Sequence, residues 1–389
     1  MKRWRGGILA GLAPPLRSHG AELEWVLARA FGPPAAQVPP PLDAAQAVAL
    51  ALRLGLGSRL VARTPRLEAE LGPAAARRAT FVRLQTSAMS RELVVAMDRV
   101  AQLAERRSIP LAWLKFAALQ ARGLLIEGSR EARDVDVLVP VSRIAELHAA
   151  LLEAGLRALP GEAAHHLPPL RLENGAVIEL HARLWGVGPN DSASAGASYE
   201  DLVACGGLEL LRGGVDVPQP WLLAAHALVH GLVQHRGTPR DYAPLRALCD
   251  VIDLQIWELP RTSIHQAVAR HLSSAELEGM TGLAQALATG IPCGSLGEAP
   301  AAMLAGLVAA SLDLRYQRAL VLEHAADLLR SGGLKGAILR AFVAGTGSVH
   351  AEEKTKQGRG AGRTRAFQHL VELAQATAAY VELRRARSR

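Results

Sequence analysis

Residues 134–140, Asp-Val-Asp-Val-Leu-Val-Pro, constrain this chain more than any other stretch. Val135, Val137, Leu138 and Val139 ask for a buried strand, yet Asp134 and Asp136 interrupt it at alternate positions. Side chains at i and i+2 of a strand leave the same face. The two carboxylates therefore stand together, with Val135 and Val137 on the opposite face. Burying a carboxylate is costly unless something positive meets it, so the strand needs cations beside it.

The surrounding pattern supplies the rest of a sheet. "IPLAWLKFAAL" from Ile109 is a short strand running into a helix, and "VSRIAELHAALLEAGL" after the acidic strand is a helix closed by Gly155. "RLENGAVIELHARLW" carries an Asn174-Gly175 hairpin signal between two extended runs. Strand, helix, strand, helix and hairpin make an α+β fold, a small mixed β-sheet core over 108–190. Helical regions flank it. Upstream, residues 1–107 hold a helix closing near Gly32, a helix capped by Asp43, and a region from about Pro73 to Arg107. In the last, Leu93, Val94, Met97, Val100 and Leu103 recur at helical spacing. Downstream, a polar loop leads to helices over 200–345, among them "QPWLLAAHALVHGLV" and "YAPLRALCDVIDLQIWEL". A basic linker and a terminal helix close the chain over 351–389.

Composition narrows the class. Half of the residues are hydrophobic and 4% aromatic, with Ala, Leu and Arg dominant, which favours a mostly helical protein encoded by a GC-rich bacterial genome. The formal charge of +8 allows anionic partners. Cys205, Cys249 and Cys293 are far apart and form no metal or disulfide framework, and no apolar run reaches membrane-spanning length. A cytoplasmic location without a secretion signal is expected.

The acids suit one kind of chemistry. Asp134 and Asp136 can hold hard divalent cations, Mg2+ or Mn2+, and such ions favour in-line displacement at a nucleotide phosphorus. The same spacing also occurs where a strand enters a solvated turn. Glu179, in the strand after the hairpin, offers a third carboxylate, with His181 on its face. Lys115 and Arg130 can neutralise phosphate. Ser129, in Gly128-Ser129, is a lesser candidate for a phosphate-binding turn. His165-His166, His226 and His230 invite a metal reading, and His226 and His230 stand at zinc-binding i, i+4 spacing. "HALVH" lacks the glutamate of a metallopeptidase helix, so lining of an acceptor pocket is the better expectation. The basic tail could track a phosphate backbone or simply be solvated.

Taken in order, "LAWLKFAAL", Arg130, "DVDVLVP", "VIELHARLW" and "LLAAHALVHGLV…LRALCDVIDL" resemble a poorly characterised bacterial nucleotidyltransferase family of the DNA-polymerase-beta-like superfamily. The resemblance spans roughly residues 85–255, with His226, His230 and Asp250 in matching places. It implies a metal-dependent transfer of a nucleoside monophosphate from an NTP, most simply ATP, to an acceptor that is a small molecule, peptide or protein. Asp134, Asp136 and Glu179 are then both catalytic and metal-binding; Lys115, Arg130 and Ser129 face the nucleotide; His181, His226 and His230 support the site or line the acceptor side. One departure stands out. Phe116 occupies the place of the family's glycine, where bare backbone would approach phosphates, and a side chain there is expected to crowd that approach. Two other readings follow: an impaired nucleotide-binding or antitoxin-like module marked by Phe116, and an RNA-binding protein using the basic tail.

Overall fold

The structure is a computed structural model describing residues 20–33, 38–159, 167–184, 187, 196–211, 214–237 and 244–312. Helices α1 (Gly20–Phe31), α2 (Ala44–Arg53), α3 (Gly57–Arg63) and α4 (Leu67–Arg106) form the N-terminal layer. Asp43 caps α2 as expected, its carboxylate accepting from the Gln46 N–H at 2.9 Å. Helix α4 is kinked where Gly72 adopts φ 73° ahead of Pro73. Proline has no N–H to donate and clashes with the preceding turn. The expected start at Pro73 is therefore a bend, with one further turn before it. Leu93, Ala96, Met97 and Val100 form the buried stripe of α4.

The core follows in the order β1 (Ala112–Trp113), α5 (Lys115–Ala121), β2 (Asp134–Leu138), α6 (Ile144–Glu153), β3 (Arg157–Ala158), β4 (Leu170–Arg171) and β5 (Val177–His181). Then come β6 (Arg183–Leu184), β7 (Ala197–Ser198), α7 (Tyr199–Ala204), β8 (Leu208–Leu210) and β9 (Asp216–Pro218). The main sheet runs β3-β4-β5-β2-β1-β9-β8, and β6 pairs with β7 in a separate ribbon. Strands β2 and β5 are parallel; β1 is antiparallel to β2, and β4 to β5. Asn174 and Gly175, the latter at φ 94°, turn the chain between β4 and β5. The fold is thus α+β with a mixed sheet.

From the sequence, the sheet is expected to end by 190 and the chain from 200 onward to be helical. The chain instead adds a β8–β9 hairpin, and β9 lies parallel beside β1. Each of these strands has three residues, too few for an alternating pattern to stand out, and their partner lies about a hundred residues earlier. Helices α8 (Pro220–Leu232), α9 (Leu245–Asp253), α10 (Arg261–Val268), α11 (Ser274–Ala288) and α12 (Glu298–Leu312) complete the described fold. The expected terminal helix and basic tail lie outside the described residues. No helix among the described residues is long and apolar enough to cross a membrane.

Two ties join the N-terminal helices to the rest of the fold. Arg59, 3% exposed, forks onto Asp253 of α9 with two contacts of 2.7 Å, donates to Ala30 O at 2.9 Å, and lies over the Phe31 ring. Gly128 seats the segment before β2 against α4. Its φ is 70°, and a Cβ there would fall 2.1 Å from Ser87 Oγ and 3.2 Å from Arg83 O. Packing and backbone conformation account for this glycine without a phosphate. Gly128→Ala is expected to destabilise the fold by about 1–3 kcal/mol; an unchanged denaturation midpoint would refute the close approach.

Candidate active site

Register builds the site. Within β2 and β5, Asp136 stands opposite Glu179 and Leu138 opposite His181. Paired residues of parallel strands share a face, and alternation keeps Asp134 and Asp136 on one side of β2. Glu179 and His181 thereby meet the aspartates, while Val135, Val137, Ile178 and Leu180 fill the apolar core. Asp136 is 1% exposed. Its Oδ1 accepts from Lys115 Nζ at 2.6 Å and lies 2.9 Å from His181 Nε2. His181 Nε2 is also 3.7 Å from Glu179 Oε2. The second oxygen, Oδ2, is buried without a hydrogen-bond partner among the described residues.

The group that meets metal-ligand spacing among the described residues is Asp136, Glu179 and His181, whose ligand atoms all lie within 4.8 Å of one another. Two of the expected trio, Asp136 and Glu179, fall in this group and Asp134 does not. Asp134 lies two residues back along β2, about 6.6 Å at the ordinary strand rise, and is in register with Val177, which carries no ligand. The residues fit a divalent ion on two counts. A buried carboxylate oxygen lacks a partner, and the oxygen-rich donor set with one imidazole suits Mn2+ as well as Mg2+.

The local charges divide the acids. Burial would raise Asp136, but the Lys115 ammonium and the His181 hydrogen bond hold it well below the usual carboxylate range. Burial, then Asp136, push Asp134 up, against Lys115 and Arg130. Burial and the charge of Asp136 push Glu179 up to about 7, Lys115 opposing and Asp134 adding. Burial would lower Lys115, yet Asp136, Asp134 and Glu179 together hold it above its ordinary value. Neighbouring carboxyls of such different character suit acid–base work. The linkage can be measured. Native Glu179 keeps its proton up to about 7, whereas its ordinary value is 4.5. Between those values the native state binds more protons than the unfolded chain, so stability falls as pH rises. In metal-free protein this contribution is read as the difference between wild type and Glu179→Gln in pH-resolved denaturation, which is expected to turn against the wild type as pH rises from 4.5 to about 7. His230, held below its ordinary 6.5, slopes the other way in both proteins.

Arg130, His226 and His230 line an adjoining pocket together with Lys115, Asp250 and the apolar Leu119 and Leu223. Arg130, expected on phosphate, makes a bidentate pair with Asp250 at 2.6 and 2.8 Å. Glu131 and Arg246 pair beside it, so two ion pairs clamp the segment before β2 to α9. Ser129 is buried, and its N–H bonds Ile126 O at 2.9 Å. His226 and His230 are buried on α8 with ring centroids 5.8 Å apart, and His230 Nε2 lies 3.0 Å from His235 Nε2. Burial, Lys115, His235 and His226 hold His230 well below its ordinary value, against Asp136, so it is neutral. His226 and His230 belong to no described three-ligand metal group. His165-His166 lie outside the described residues.

Phe116 overturns one expectation. Its side chain is 2% exposed within the hydrophobic core and does not fill the open side of the site. The unusual backbone is one residue earlier, where Lys115 adopts φ 45°. Asp250 is not expected from the sequence as the partner of Arg130. An acid within the apolar pattern of "LRALCDVIDL" is the signal that could have found it.

No curated protein matches the chain in sequence. The solution structure of the antibiotic-resistance factor ANT(2'')-Ia aligns at a TM-score of 0.34 and 15% identity, over 47% of this chain and 91% of that one, a likeness too slight to argue from. The profile of a family described as uncharacterised nucleotidyltransferase matches residues 40–290. That match takes in the acidic strand, Glu179, His181, Lys115 and the Arg130–Asp250 pair, and spans more than half of the chain: this protein belongs to that nucleotidyltransferase family, and nucleotidyl transfer is its general activity.

Proposed function

We propose that the enzyme moves a nucleoside monophosphate from an NTP, most simply ATP, to a hydroxyl-bearing small molecule, peptide or protein, with Mg2+ or Mn2+ as cofactor. The observation that carries this reading is Asp136 Oδ2, buried without a partner in a cluster where Glu179 and His181 stand at ligand distance. Asp136, Glu179 and His181 would hold the divalent ion, with Asp134 two residues back on the same face of β2. Such an ion neutralises phosphate charge and acidifies the attacking hydroxyl.

The protein's own groups supply the rest. Glu179 would take the acceptor's proton as the hydroxyl attacks. The acceptor oxygen bonds to the α phosphorus, the bond from that phosphorus to its bridging oxygen breaks, and pyrophosphate leaves. Lys115 and Arg130 line the phosphate side. Ser129, buried and next to Arg130 in sequence, would act on the nucleotide side through the position it gives Arg130. His226 and His230 line the pocket and would face the acceptor. The non-catalytic reading draws its support from Phe116, which the core has absorbed; the RNA-binding reading depends on a tail outside the described residues.

Incubation with each NTP, labelled in turn at the α and γ phosphate, with Mg2+ or Mn2+ and an extract of the source organism tests this. Label is expected to reach an acceptor from the α position only and to require the metal. Transfer of γ label would replace the proposal with a kinase reaction. Metal-dependent nucleotide binding without pyrophosphate release would replace it with a binding module.

A further inference from the structure

The two oxygens of Asp136 have different fates. Oδ1 is held by Lys115 at 2.6 Å and by His181 at 2.9 Å, whereas the buried Oδ2 has no hydrogen-bond partner among the described residues. Lys115 reaches Oδ1 from backbone at φ 45°, a conformation that lysine rarely adopts and that persists only when its surroundings impose it. A lysine opening a helix ordinarily extends its ammonium into water. This one is 16% exposed, between the carboxylates and the pocket shared with His226, His230 and Arg130. A cation is therefore already built into the acidic face.

Resting on the metal site proposed above, we infer that Lys115 is an internal counter-cation that sets when the metal binds. Its charge keeps Asp134, Asp136 and Glu179 assembled while no divalent ion is present. The same charge, within hydrogen-bond reach of Oδ1, repels an ion approaching Oδ2, because like charges a few ångströms apart in a partly buried site are weakly screened. The phosphates of an incoming nucleotide change that balance. They add negative charge to the face and give the ammonium a second partner on its pocket side. Metal and nucleotide consequently bind with positive coupling, and the protein alone holds its ion weakly. Lys115 is on this view a positioning residue for the metal, acting through Asp136.

Mn2+ titration of the full chain by calorimetry or by the magnetic resonance of free Mn2+, with and without α,β-methylene-ATP, tests the inference. Wild-type protein is expected to bind Mn2+ weakly alone and more tightly with the analogue, beyond the Mn2+ that the analogue takes up in a protein-free titration. Lys115→Met is expected to bind Mn2+ alone more tightly than wild type by about 5- to 150-fold, the ordinary size of a coupling between sites, and to lose most of the analogue's effect. Lys115→Arg, which keeps the charge, should behave as wild type. Lys115→Gln keeps a donor for Oδ1 without the charge and gives the same answer should the methionine variant fail to fold. If the neutral variants melt lower but bind Mn2+ no more tightly, Lys115 is merely structural and the inference is overturned while the metal site stands. If wild type binds no Mn2+ even with the analogue, the metal-site reading fails and takes this inference with it.

Discussion

Asp136→Asn is expected to reduce nucleotidyl transfer by about a thousandfold or more, a loss of roughly 4 kcal/mol of transition-state stabilisation at 1.36 kcal/mol per tenfold. Asparagine preserves shape but removes the charge at the centre of the cluster. Lys115 and His181 both converge on Asp136 Oδ1, so the substitution alters all three groups together. It also leaves the Lys115 ammonium without its closest counter-charge, which is expected to lower stability by about 1–3 kcal/mol. Transfer rate and denaturation midpoint must therefore be measured on the same preparation. A folded variant that retains transfer within tenfold of wild type would show that Asp136 does not hold the ion. Asp134→Asn should cost less, because Asp134 lies outside the tight ligand group.

Arg59→Met is the change with the largest expected effect on stability. Arg59 is 3% exposed, and its fork reaches Asp253 across 194 residues of sequence, while its Nε serves Ala30 O. Burial pulls the guanidinium down, but the Asp253 carboxylate more than compensates, and its pKa stands above the ordinary value. Removing one partner of a buried pair leaves the other charge unpaired in a dry site, at a cost of about 3–5 kcal/mol. The double variant Arg59→Met/Asp253→Leu removes both charges and is expected to recover much of that loss. A single-variant cost below about 1 kcal/mol in equilibrium denaturation would show that solvent already screens the pair. Because this pair joins the N-terminal helices to α9, and α9 also carries Asp250, its loss is expected to loosen the Arg130 clamp as well.

Both predictions concern residues with very different legibility in the sequence. The Asp134/Asp136 pair is plain there because strand alternation is a local property, readable from neighbours two apart. The same holds for the Asp43 cap of α2 and for the Asn174-Gly175 turn, each set by a few adjacent residues. The β8–β9 hairpin has a local signal in Gly213-Gly214, yet its place beside β1 does not follow from that signal. The Arg130–Asp250 contact, across 120 residues, has no local signature beyond an acid in an apolar helix pattern.

The amino-acid sequence by itself determined the chemistry on offer: carboxylates on one strand face, a third acid and a histidine after a hairpin, and lysine and arginine nearby. It did so because alternation and turn propensity act over a few residues. Tertiary structure alone decided how these groups are combined. The parallel register of β2 with β5 sets Asp136 beside Glu179 and brings in His181, leaving Asp134 one strand repeat away. Packing turned Phe116 into the core, and the arrival of α9 gave Arg130 and Arg59 their carboxylates. Those outcomes depend on which distant segments meet, and a pairing between distant segments is a property of the whole chain's burial, not of any window along it.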